Sequence, residues 1–335
     1  MRSEGPRSFR ASAPARLDFA GGWTDVPPFS AREGGAVVNA AIDLRVHADV
    51  ELGGEGMVLR ADDLRDALRV SHPVDLSRGE RLPLHRAALR MFPVGPCTLR
   101  TRSDVPPGAG LGGSGALDVA LVAVLTLARG ERVDPDEAAT SGWHLEVIEA
   151  GLPGGRQDQY AAALGGFHLF EFRDPEVTAT PLALAPDFLA ELERRTVLCY
   201  TGRSRISGET IARVMAAYER GEPAVTEALR RLRALAYEMA DALAAADLAR
   251  VGALLAENWR CQQALDPAMC TPEMRRLEAA LREAGALGGK AAGAGAGGCM
   301  FFLAGDDVDR ARAAAGMAGA ELLPLRWSRE GVTAC

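Results

Sequence analysis

Apolar and polar positions alternate along residues 36–50 (AVVNAAIDLRVHADV), with β-branched residues among them, and this period of two predicts paired strands. Residues 97–103 read as another strand, running straight into a Gly/Pro cluster at 106–113. The pattern then changes. Residues 111–129 are Ala, Leu and Val nearly all round, as expected of a buried helix. Asp134-Pro135-Asp136-Glu137 carries the signals of a helix start, and that helix should run to about Ala150 and stop at Gly151. Residues 165–172 and 196–201 read as strands. From 207 to about 286 the period is helical, broken at 221–223, at Asp247 and at Asp266-Pro267, with Thr271-Pro272-Glu273 opening another helix. A short apolar strand at 299–303, a helix led by Asp306 and a last strand at 321–327 complete the pattern. Strands and helices over 335 residues predict an α+β protein of two domains, divided as 1–185 and 186–335, with 175–195 as connecting chain.

Composition narrows the function classes. Hydrophobic residues make up 48% and charged residues 25%, the balance of a soluble globular chain, while aromatics at 5% leave the core to Ala, Leu and Val. A net charge of −7 argues against nucleic-acid or anionic-membrane partners. The apolar stretch 119–128 is too short to span a bilayer and the first residues are charged, so a cytoplasmic location is expected. Six cysteines without a C-x-x-C pair read as idle thiols. Among 38 cationic residues only Lys290 is a lysine, which makes its place in the fold worth knowing.

The segment Pro106-Pro107-Gly108-Ala109-Gly110-Leu111-Gly112-Gly113-Ser114 lies between a strand and a buried helix. Glycines let a backbone approach an anion, and a helix N-terminus offers free N–H groups, so the segment suits polyphosphate. Gly108, Gly110 and Gly113 satisfy G-x-G-x-x-G, but no second strand ending in an acid follows, which excludes a dinucleotide fold. Gly293, Gly295 and Gly298 repeat the spacing ahead of a strand rather than a helix. Ala284 and Ala291 around Gly289-Lys290 exclude a G-x4-G-K-[ST] loop.

Residues 13–25 (APARLDFAGGWTD), 106–116 (PPGAGLGGSGA), 154–159 (GGRQDQ) and 289–298 (GKAAGAGAGG) together resemble the motifs of the GHMP small-molecule kinases, in their expected order. GGWTDVPP and GGRQDQYAAALGGF are closest to heptose 7-phosphate kinases and the kinase part of fucokinases. The resemblance implies an N-terminal domain like ribosomal protein S5, a ferredoxin-like C-terminal domain with extra helices, and ATP and Mg²⁺ bound between them.

For the site, the resemblance implies Asp158 as the base that takes the sugar hydroxyl proton, with Arg16 orienting it or the transferring phosphoryl. Residues 107–114 would bind the nucleotide. Ser114 and Glu146 would hold Mg²⁺, with Glu149, one turn on, as the competitor. Gly113 and Gly115 depart from the family's G-L-G-S-S-A-A, losing one hydroxyl donor and loosening the first helical turn. Gly22, Trp23, Asp25, Gly155, Arg205 and Gly295 are the acceptor-site candidates: Asp25 to receive sugar hydroxyls, Trp23 to pack under the sugar, Arg203 and Arg205 to meet a second phosphate. Lys290 would reach a phosphate or a carboxylate. The implied activity is phosphorylation of an anomeric hydroxyl, of a heptose 7-phosphate first and a free 6-deoxyhexose second. A non-catalytic sugar- and nucleotide-binding paralogue is the rival, and a homodimer stays open.

Overall fold

The computed structural model describes residues 7–202 and 208–335. A long antiparallel ribbon organises the first half: β1 (Arg7–Ala20) pairs with β2 (Gly35–Leu52), with register shifts at Pro14/Ala15 and Asp18/Ala20. Residues 36–50 are therefore one strand and not the expected pair. No Gly or Pro interrupts them to make a turn, and at 18 residues β2 is long enough to serve two neighbours. Its first half pairs with β6 (Phe167–Arg173) and its second half with β5 (Cys97–Ser103). β3 (Met57–Ala61) lies parallel to β5, β4 (Asp66–Val70) and β7 (Glu176–Pro181) edge the sheet, and β12 (Thr333–Ala334) returns to β1.

A second sheet holds β8 (Thr196–Tyr200), β9 (Gly288–Ala291), β10 (Cys299–Leu303) and β11 (Glu321–Leu323), all antiparallel in the order β11-β8-β10-β9. Counted along the chain this is 4-1-3-2, the order of a split β-α-β repeat. The expected last strand, 321–327, is shorter: Pro324 has no N–H to give the ladder, and Trp327 instead bridges to Ile42 of the first sheet.

The helices are α1 (Phe29–Glu33), α2 (Pro83–Met91), α3 (Gly113–Ala128), α4 (Pro135–Trp143), α5 (Gln157–Leu164), α6 (Pro186–Arg195), α7 (Gly208–Glu219), α8 (Pro223–Ala244), α9 (Leu248–Leu265), α10 (Pro272–Glu283) and α11 (Val308–Met317). The breaks between α7, α8, α9 and α10 fall where the sequence predicts them. Thr271 and Asp247 cap their helices, while the last helix is capped by Asp307, one residue past the expected Asp306. The stretch 175–195 is not plain connecting chain. It holds β7 and α6, whose Phe188 and Leu192, four residues apart, bury one face.

α3 sits where its all-apolar pattern demands. Leu121, Val124 and Leu125 are fully buried, each contributing about 1.5–3 kcal/mol relative to exposure. One core lies between the first sheet and α2 to α5. A second joins Leu17, Phe19 and Ile42 of the first sheet to Phe301 and Leu303 of the second. A third packs the second sheet against its helices. Among the described residues no helix is long and apolar enough to cross a membrane.

Candidate active site

Between β5 and α3 the chain must turn tightly, and Gly108, Gly110 and Gly112 do so at positive φ (68°, 76° and 75°), where a side chain would be strained. The segment 106–114, apart from Leu111, lines a cleft of about 470 Å³. Leu111 points the other way: it is fully buried, and its carbonyl accepts a hydrogen bond from the Arg16 N–H at 2.9 Å. Asp158, Ser114, Glu146, Arg16, Asp25, Trp23 and Gly155 line the same cleft.

Arg16, on β1, ties three segments together. Its Nε and Nη2 both lie 2.8 Å from Asp158 Oδ1, which leaves Oδ2 outside the ion pair. Its Nη1 donates to the carbonyls of Gly110 at 2.6 Å and Ala292 at 2.9 Å. Asp158 occupies the first turn of α5 and packs against the start of α3. A Cβ on Gly115 would fall 2.5 Å from Asp158 Cβ, so Gly115 makes room for α5; its departure from the family pattern is steric as well as a loss of helix propensity.

Glu146 lies in a π-helical turn, 144–149, that continues α4 in place of the expected uninterrupted α-helix. Such turns re-aim side chains and recur at functional sites. Glu146 Oε1 accepts from Ser114 Oγ at 2.6 Å, whereas Glu149 turns out to Arg90 on α2 and is not among the cleft-lining residues. Burial pushes the Glu146 carboxyl up, with Ser114 pulling it down and Asp158 pushing it further up. Serine hydroxyl and carboxylate are hard oxygen donors that fit Mg²⁺, an ion that takes one or two protein oxygens and completes its shell with phosphate and water. Among the described residues no cluster of three or more His, Cys, Asp or Glu would hold a metal unaided, so phosphate oxygens would have to share it.

Asp25 is almost wholly buried. Its Oδ2 accepts from the N–H groups of Arg156 and Gln157 at the start of α5, and its Oδ1 from Gln157 Nε2 at 3.0 Å. A Cβ on Gly155 would sit 1.9 Å from Asp25 Oδ2, so glycine is required there. Burial raises the Asp25 carboxyl to about 6, against the pull of its backbone donors. Both oxygens are thus committed to α5 before any acceptor arrives. Trp23 lines the cleft at φ 81°, with its indole nitrogen buried and unpartnered.

Other predicted residues sit behind the cleft. Gly22 abuts Asp18, whose Oδ2 would lie 1.9 Å from an added Cβ, and Gly295 packs on Met269; neither lines the cleft. Lys290 is fully buried, 2.7 Å from the Asp18 carbonyl and 3.0 Å from its carboxylate. The carboxylate alternative, not the phosphate, is what it meets. Arg203 and Arg205 lie outside the described residues. Sequence reasoning missed Asp18, Gln157 and Gln159. The one available signal was for Asp18, since a lone lysine in an apolar strand requires a buried carboxylate. His85, hydrogen-bonded to Thr101 at 2.8 Å, and Leu64 line the part of the cleft formed by β3, α2 and β5. Burial lowers His85 to about 4, so it is neutral at pH 7.

A glycine loop at a helix N-terminus, facing an Arg-bound carboxylate and a Ser–Glu oxygen pair, is the equipment of phosphoryl transfer to a small molecule. The comparisons agree. The GHMP kinases N terminal domain model matches residues 83–166 and the GHMP kinases C terminal model residues 239–320. The chain is 31% identical over 309 residues to D-glycero-alpha-D-manno-heptose 7-phosphate kinase of Campylobacter jejuni, covering 89% of each. It is 28% identical to the bifunctional fucokinase/GDP-fucose pyrophosphorylase of Arabidopsis thaliana, over 92% of this chain and 31% of that longer protein. The crystal structure of a D-glycero-D-manno-heptose 1-phosphate kinase from Bacteroides thetaiotaomicron matches with a TM-score of 0.76 over 98% of both chains, at 25% identity. The chain belongs to the GHMP kinases and has their two-domain fold.

Proposed function

We propose that this kinase transfers the γ-phosphoryl group of ATP to the anomeric hydroxyl of a heptose 7-phosphate, giving the 1,7-bisphosphate. The observation that carries the reading is the Arg16–Asp158 ion pair at 2.8 Å beside the Ser114–Glu146 pair in one cleft. Kinship with the Campylobacter heptose 7-phosphate kinase supplies the acceptor class. In this reading the domains meet near 185/186 and the reactants bind between them.

The triphosphate runs along 107–114, whose glycines bring backbone N–H groups close to the phosphates. The nucleoside falls toward Leu64 and His85, and the acceptor toward Trp23 and Gly155. Bound Mg²⁺ would neutralise charge across the β- and γ-phosphates, held by Ser114 and Glu146. Arg16 fixes the Asp158 rotamer through Oδ1, and the free Oδ2 takes the proton of the anomeric hydroxyl, which is more acidic than an ordinary alcohol. Among the described cleft-lining residues Arg16 is the only arginine or lysine, and it is committed to Asp158. A 7-phosphate needs further cations, for which Arg203 and Arg205 are the candidates.

The test is an ATP-coupled assay over free and phosphorylated sugars, with Asp158→Ala as control. Heptose 7-phosphate should give the highest kcat/KM, and Asp158→Ala should lower kcat by about 10²–10⁴ while ATP still binds. Preference for a free 6-deoxyhexose would move the assignment to the second reading, a fucokinase-like enzyme, which the Arabidopsis relative favours. No turnover of any sugar, with nucleotide and sugar still binding, would leave a non-catalytic paralogue.

A further inference from the structure

Behind the Ser114–Glu146 pair lies a polar cluster that the mechanism above does not use. Asp118 is one turn along α3 from Ser114 and is fully buried in an otherwise apolar stretch. Gln159, also fully buried, follows Asp158 on α5. Its Nε2 donates to Glu146 Oε2 at 2.7 Å and to Asp118 Oδ2 at 3.2 Å. A side-chain amide nitrogen carries two hydrogens, so both bonds form at once.

The surroundings are shaped to fit this amide. A Cβ on Gly142 of α4 would lie 3.3 Å from Gln159 Cγ and 3.4 Å from Asp118 Cβ, so a bare position on α4 accommodates the cluster. The π-helical turn brings Glu146 to the same place. With Ser114 on Oε1 and Gln159 on Oε2, both Glu146 oxygens have a hydrogen-bond donor. Asp118 Oδ1 and Gln159 Oε1 meanwhile stay buried without partners, a cost that stability alone gives no reason to keep.

We propose that Gln159 is a positioning residue for the metal site: anchored by Asp118, it holds the Glu146 carboxylate in the orientation that receives the cation. The inference rests on the assignment of Glu146 and Ser114 to the metal. Groups that fix a ligand's orientation commonly carry about 10–100-fold in metal affinity.

The experiment titrates Mn²⁺ into the full chain saturated with ADP, reading free Mn²⁺ by electron paramagnetic resonance, and separately measures ADP affinity in EDTA. Gln159→Leu should weaken Mn²⁺ binding about tenfold or more and leave metal-free ADP affinity unchanged. Asp118→Leu, which frees the Gln159 amide by another route, should weaken Mn²⁺ in the same direction. Asp118→Asn keeps an acceptor for Gln159 and should restore most of the affinity. Wild-type Mn²⁺ affinity in Gln159→Leu, or an equal loss of metal-free ADP binding, overturns the proposal. Ser114→Ala and Glu146→Gln separate the two layers. If neither weakens Mn²⁺, the metal assignment itself fails; if both do and Gln159→Leu does not, only the positioning role fails.

Discussion

Two glycine-rich segments, 106–115 and 288–298, share a spacing and differ in what most of their glycines face. The first gives its backbone to the cleft, with Gly108, Gly110, Gly112 and Gly113 along the wall. The second reaches the cleft only at Gly293 and Ala294 and otherwise gives its backbone to the first. A Cβ on Gly293 would lie 2.5 Å from the Gly110 carbonyl, one on Gly298 would lie 2.6 Å from the Ala109 carbonyl, and the Cys299 N–H donates to that same carbonyl at 2.7 Å. Each segment also has its own carboxylate. Asp158 beside the first is partly exposed and bound to Arg16, while Asp18 beside the second is buried and bound to Lys290. Glycine thus answers two needs, a cleft wall of bare backbone and close approach to another backbone, and the pattern G-x-G-x-x-G does not distinguish them.

The contrast can be broken most forcefully at Lys290. Lys290→Met leaves the Asp18 carboxylate buried without its cation, which should cost about 3–5 kcal/mol. A urea unfolding midpoint equal to that of wild type would show that the pair does not hold the second segment.

Asp25 sharpens the same point with the opposite sign, because among the described residues its carboxylate oxygens accept from N–H groups of Arg156 and Gln157 and are in no ion pair. Its folded pKa of about 6 lies above the ordinary 3.8, so the folded state binds the proton more tightly than the unfolded chain. The stability this contributes is fully present below pH 3.8 and is lost as the pH rises through about 6. The loss is about 3 kcal/mol, at 1.36 kcal/mol per unit. Asp25→Asn should therefore gain in Tm on wild type between about pH 4 and pH 7. A Tm difference that stays constant over that range would show that Asp25 does not titrate as its burial requires.

Smaller effects separate the glycines themselves. Gly298→Ala puts a Cβ against the Ala109 carbonyl at φ 77° and should cost about 1–3 kcal/mol. Because the strained contact is with the cleft loop, KM for ATP should rise as well. Gly113→Ala meets nothing closer than Val105 Cγ1 at 3.5 Å and starts a helix, so it should gain about 0.5–1 kcal/mol. Thermal melts of the two variants side by side decide the matter, and a destabilised Gly113→Ala would make the two segments alike.

The sequence alone determined what local physics encodes. The helix breaks at Gly221, Asp247 and Asp266, the Asp134 cap, the buried α3 and the glycine loop at its N-terminus all depend on residues within a few positions of one another. The family resemblance also gathered Asp158, Arg16 and Ser114 from the ordered motifs and Glu146 from outside them as candidates, and the fold brings these four into one cleft. Only the tertiary structure separated Glu146 from Glu149, because a π turn aims one at Ser114 and the other at Arg90, and periodicity assumes an ideal helix. It alone made 36–50 a single strand, since the pairing partners lie more than a hundred residues apart at β6 and some fifty at β5. It alone turned Lys290, Gly22 and Gly295 away from the cleft and engaged Asp25 with the start of α5. Those outcomes depend on which backbones approach within a few ångströms and which charges lose their water, and neither quantity is defined until distant segments have packed.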